Sequence, residues 1–126
     1  MENEKIAIPY MEEYSNFIKN YKTSQVSGEE VGEVIARMAG YFAEYNMKLV
    51  NAERNLYIMA RDIEERTDET SGKTITSSKA QALVRATNEH YIADELKAHV
   101  KNVEQFVNAL KSLQRGVLSE YAMSNL

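Results

Sequence analysis

Between Thr70 and Asn88 the sequence carries Lys73, Lys79 and Arg85 without one acidic side chain, among the hydroxyls of Thr70, Ser71, Thr74, Thr76, Ser77 and Ser78. Cations neutralise phosphates and hydroxyls donate to their oxygens, so this composition suits a nucleic-acid backbone. Arg61 and Arg66 precede the stretch, and Tyr57 and Tyr91 flank it with aromatic faces on which unpaired bases can stack. Repeated around an assembly, a few such contacts add to one electrostatic track. Against this stand Asp62, Glu64, Glu65, Asp68 and Glu69, which can leave the same region neutral and merely solvated. Arg61, Arg66, Lys73, Lys79 and Arg85 are the candidate nucleic-acid-binding residues.

Other constellations point to chemistry less well. Glu29-Glu30-Val31-Gly32-Glu33 resembles the opening metal motif of the all-α nucleotide pyrophosphohydrolases of MazG type. That resemblance implies a Glu-x-x-Asp partner, because several hard carboxylates must converge on magnesium. Here Glu53 is followed three residues on by Leu56, and Glu89 by Ile92. An acidic first turn favoured by the helix dipole accounts for the cluster, and the pyrophosphohydrolase is a remote alternative. His90 and His99 stand nine apart, on different faces of one helix, and do not chelate an ion together; His90 with Asp94 and Glu95 with His99 read as charge partners. Ser71-Gly72-Lys73-Thr74 has the end of a phosphate-binding loop but neither its first glycine nor a buried strand before it. No Ser/His/Asp signature is present. The chain is expected to be no enzyme and to need no metal or cofactor.

The elements that carry these residues follow from composition and periodicity. Among 126 residues there is one proline, five glycines and no cysteine, which indicates long helices in a single domain without disulfide or thiolate chemistry. Pro9, followed by Tyr10, Met11, Tyr14, Phe17 and Ile18, predicts a short helix at about 9–22. Ser27-Gly28-Glu29-Glu30 is a capping box. It opens a helix at about 28–66, roughly 58 Å long at 1.5 Å per residue. Its seam is Val31, Ile35, Met38, Phe42, Tyr45, Leu49, Ala52, Leu56, Met59 and Ile63. Gly40 is a point of bending or close approach. Residues 67–76 have turn composition, with room for a few extended residues. Ser77 or Ser78 caps a second long helix at about 77–122, with Leu83, Ala86, Ile92, Leu96, Val100, Val103, Val107, Leu110, Leu113, Val117 and Tyr121 inward. The predicted architecture is all-α: a long antiparallel helical hairpin with the short N-terminal helix packed on it or swapped to a neighbour. Tyr41, Tyr57, Ile58, Tyr91 and Phe106 lie beside the seams, more apolar surface than one hairpin covers, so the protein is expected to form a homo-oligomer.

The formal charge of −4 divides unevenly: residues 1–69 carry 14 acidic and 8 basic side chains, residues 70–126 carry 5 and 7. The N-terminus, Met-Glu-Asn-Glu-Lys, lacks the apolar core of a secretory signal, and no apolar run is long enough for a membrane span. A cytoplasmic protein without a membrane partner is expected.

Tyr91-Ile92-Ala93-Asp94-Glu95-Leu96, then Val100, Glu104, Leu110-Lys111-Ser112-Leu113 and Arg115-Gly116, resembles the closing part of the UvsY-type recombination mediators of tailed phages, over about the last 50 residues. The resemblance implies a ring-forming helical protein in the host cytoplasm. It would bind single-stranded DNA, displace the single-strand-binding protein and load a RecA-like recombinase. Basic residues in the N-terminal half carry much of that family's DNA contact, and this chain is acidic there. The leading expectation is a non-catalytic oligomeric recombination mediator. The alternative is a structural helical-hairpin assembly or virion protein with protein partners only.

Overall fold

The computed structural model describes residues 8–23, 25–69 and 71–124. Ser24 and Thr70, the N-terminal residues 1–7 and the Tyr121 side chain lie outside the described residues. Four helices follow in order: α1 (Pro9–Thr23), α2 (Gly28–Glu64), α3 (Ser77–Arg85) and α4 (Asn88–Ser124). Among the described residues the only extended pairing is one antiparallel bridge, Thr67 to Thr74. The chain is therefore all-α. None of these helices is long and apolar enough to cross a membrane. The helices form two compact units, one built from α1, α2 up to Ala43 and α4 from Lys101, the other from Glu44–Val100.

In the first unit the apolar positions of three helix segments converge. Tyr10, Val31, Val34, Met38, Val103 and Leu110 are buried. Tyr10 meets the rings of Tyr41 at 6.3 Å and Phe106 at 5.9 Å, and Tyr14 stacks on Phe106 at 4.0 Å. Two of the side chains expected beside the seams, Tyr41 and Phe106, are thus half-buried under α1 of the same chain. The Arg37 guanidinium donates to the Glu13 carboxylate, tying α1 to α2. That bond raises the Arg37 pKa above its ordinary value, while desolvation acts against it.

The start of α2 is capped as its sequence indicates. Glu30 N donates to Ser27 Oγ at 3.1 Å, but the Glu30 carboxylate meets the Ser27 hydroxyl at 3.4 Å instead of the backbone. The close approach expected at Gly40 falls elsewhere. A side-chain carbon at Gly40 would meet nothing within 4 Å, whereas one at Gly28 would lie 2.8 Å from Leu118 Cδ2. Gln114 Nε2 also donates to Gly28 O at 3.0 Å, so the absent side chain lets α4 reach the α2 backbone.

In the second unit Leu49 is buried, with Tyr45, Ala52, Leu56, Met59 and Ile63 half-buried on the same side of α2. The Tyr45 ring lies 5.1 Å from that of His99. α2 stops at Glu64, slightly earlier than expected, as Arg66 N turns to Ile63 O at 3.0 Å. A tight turn follows, with Gly72 at φ 69°, a conformation that favours glycine.

The expected helix over 77–122 is divided. α3 ends at Arg85, and α4 restarts at Asn88. Thr87 is the reason: its hydroxyl donates to Val84 O at 2.6 Å and accepts from His90 N at 3.3 Å, closing one helix and capping the next. The break changes the phase. Leu83, Ala86 and Ile92, expected inward, are exposed, and Ala80, Val84 and Ala93 are buried instead. From Leu96 to Val117 the expected seam is buried or half-buried throughout. The cap of α3 is also corrected: Thr76 Oγ1, not Ser77 or Ser78, accepts from Lys79 N at 3.2 Å. Thr87→Ala should cost about 1 kcal/mol, lowering the melting temperature by about 4 °C, while Thr87→Ser stays near the parent. Circular dichroism melts check this, and equal melting of the alanine variant would remove Thr87 as the start of α4.

Candidate nucleic-acid interface

The five candidate cations all belong to the second unit but do not form one patch. Two of them join an aromatic ring. Tyr57, one turn before Arg61 on α2, accepts from Arg61 Nη1 at 3.2 Å, and the Arg61 guanidinium carbon lies 5.9 Å from its ring centroid. The i, i+4 spacing puts both on one helix face. Tyr57 also lines a groove with Arg85 of α3, together with Leu56, Ala60, Gln81 and Val84. This groove, about 280 Å³ in volume, is open to solvent, and Tyr57 is 63% exposed. A tyrosine face with one guanidinium on its own helix and another across the groove offers a stacking platform between two phosphate ligands.

Lys79 is held differently. Its ammonium pairs with the Asp68 carboxylate, which is more buried than the lysine. This pair fastens α3 to the turn and neutralises the charge that was to meet phosphate. Arg66 and Lys73 lie on either side of the Thr67–Thr74 bridge: Ile75 N donates to Arg66 O at 3.2 Å and Asp68 N to Lys73 O at 2.7 Å. Both side chains are exposed. Tyr91, 69% exposed on α4, does not line the groove. Gln81 was missed because its placement depends on the phase of α3, where Ala80 and Val84 set the buried side. Its spacing of four from Ser77 and from Arg85 is the only sequence signal.

Hydroxyls proposed as phosphate donors are partly committed to the backbone. Thr76 caps α3, and Ser71 Oγ accepts from Lys73 N at 3.3 Å. The Gly72 amide likewise donates to Asp68 O at 2.8 Å. Ser71-Gly72-Lys73-Thr74 therefore closes its own turn and does not present a row of amides to a phosphate. Elsewhere, Glu29, Glu30 and Glu33 are exposed at the start of α2. Among the described residues no three histidine, aspartate or glutamate side chains converge as metal ligands. His90 Nδ1 lies 3.4 Å from Asp94, whereas His99 packs on Tyr45.

No family model, curated protein or solved structure matches the chain.

Proposed function

We propose that the protein is a non-catalytic, self-associating helical protein that binds single-stranded DNA and acts as a recombination mediator toward a RecA-like recombinase. The exposed Tyr57 ring, with Arg61 against it and Arg85 across the groove, carries the DNA-binding part. A base stacked on Tyr57 would set its flanking phosphates toward the two guanidinium groups. Stacking does not read sequence, so binding would be sequence-tolerant and salt-dependent. The recombinase, and displacement of a single-strand-binding protein, come from the resemblance of the α4 sequence to the phage mediators. The proposal includes an antiparallel hairpin of α2 and α4, supported by the bond from Gln114 Nε2 to Gly28 O at 3.0 Å, which brings the start of α2 to the latter part of α4.

Fluorescence anisotropy with a labelled single-stranded oligonucleotide at low and high salt tests this. The parent protein should bind more weakly as salt rises. Tyr57→Ala should weaken binding by about 1–3 kcal/mol, Arg85→Ala should flatten the salt dependence, and Lys79→Ala should change affinity little because Asp68 already neutralises it. Absence of salt-sensitive binding by the parent protein would remove the mediator reading. A second reading, a structural assembly with protein partners only, draws on the exposed Met47, Val50 and Ile58. It predicts association without oligonucleotide binding.

A further inference from the structure

Behind its buried seam, α2 has a second line of apolar residues. Met47, Val50, Arg54 and Ile58, spaced i, i+3, i+7 and i+11, share the side of the helix opposite Leu49, Ala52, Leu56 and Met59. Met47, Val50 and Ile58 are 67%, 50% and 51% exposed. They add nothing to the core of their own unit, and their heptad-like spacing is what an external helix requires. In the same unit the exposed Tyr91 of α4 shares one outer face with Asp94 and Glu95, three and four residues on.

The charges choose between possible contacts. If two α2 lines met about a two-fold axis, Arg54 would approach its own copy, and two α4 faces meeting would oppose carboxylates. Placing α2 of one molecule on α4 of another neutralises both and covers the α2 line together with the Tyr91 ring. We propose that a second copy of this chain docks through its α4 face, Tyr91, Asp94 and Glu95, onto the α2 line Met47, Val50, Arg54 and Ile58. The contact is head-to-tail, so every copy uses both faces and the array either closes into a ring or extends. Arg61 continues the line one turn on and is bonded to Tyr57, which borders the line beside Ile58. The proposal rests on the self-association included in the functional reading above.

Light scattering on the full chain tests it through Arg54→Glu and Glu95→Arg, alone, mixed and combined. Glu95 is chosen because Asp94 already lies beside His90. The parent protein should show a multiple of its 14.4 kDa mass. Each single variant should associate at least about tenfold more weakly with unchanged helical content. An equimolar mixture of the two should recover the parent mass, because each α2 then finds an α4 of opposite charge, and the combined variant should recover it as well. A parent protein that is monomeric would overturn self-association itself. An oligomeric parent whose mass neither substitution alters, or whose variants do not rescue each other, would overturn this contact and leave self-association standing.

Discussion

Val103→Asp is expected to eliminate a stable first unit. Val103 is fully buried in α4, within the same unit as Tyr10, Val31, Val34, Met38 and Leu110. A carboxylate there would lose its hydration and gain no cation. The penalty, roughly 3–5 kcal/mol for an uncompensated buried charge, is comparable with the whole stability of many small domains, about 5–15 kcal/mol. The variant should therefore lose much of its helical signal near physiological temperature. Val103→Ala, which removes only about two methylene equivalents, should cost about 2 kcal/mol and still melt cooperatively. A melting curve for the aspartate variant that overlays the alanine one would show that Val103 faces solvent or a water-filled space in solution.

The second large effect is expected at Tyr10. Its ring is fully buried between Tyr41 and Phe106, and its neighbour Tyr14 stacks on Phe106. Truncation to alanine should cost about 3–5 kcal/mol, the range for removing a large aromatic side chain from a core. Most of this loss falls on the attachment of α1, since the Glu13–Arg37 pair is largely solvent-screened and cannot hold the helix alone. Tyr10→Ala should then expose Lys19 and Lys22 to trypsin while α2 and α4 remain helical. Tyr10→Phe should retain most of the packing. If the alanine variant resists trypsin as the parent does, α1 is not secured by this ring cluster.

These two sites also show what α1 covers. Tyr41 and Phe106 would be exposed aromatic surface without it, and α1 covers them in the first unit. The second unit leaves Met47, Val50, Tyr57, Ile58, Tyr91 and Ile92 exposed. Among the described residues, exposed large apolar side chains are thus concentrated in residues 44–100, with Leu118 and Met123 the ones in the first unit. Of the acidic side chains that opposed the DNA reading, Asp68 is committed to Lys79, whereas Arg85 shares a groove with Tyr57 and Arg61 bonds to the Tyr57 hydroxyl.

Much of the local structure could be read from residue types. The Ser27 cap, the α1 apolar face and the α2 seam follow from hydrogen-bonding capacity and a period of 3.6, which depend on neighbours a few residues away. The candidate site was legible only in part, because Tyr57 and Arg61 are neighbours on one helix while Arg85 lines the groove with Tyr57 from α3. No spacing rule links residues 57 and 85.

The misplaced stretch was Leu83 to Ile92. Thr87 in a helical pattern is an unremarkable residue until its hydroxyl is seen to end one helix and begin another, and a break of two residues rotates every side chain that precedes it relative to those that follow. By itself, then, the sequence determined that the chain is helical, which face of α1 and α2 is apolar, and where most helices begin. Only the tertiary structure decided that α1 covers Tyr41 and Phe106, that Lys79 is neutralised by Asp68, and that Arg61 and Arg85 flank one exposed ring. The physical reason is range: helix formation and capping are set within a turn or two of chain, whereas burial, charge pairing and the convergence of a site depend on which distant segments come to lie together.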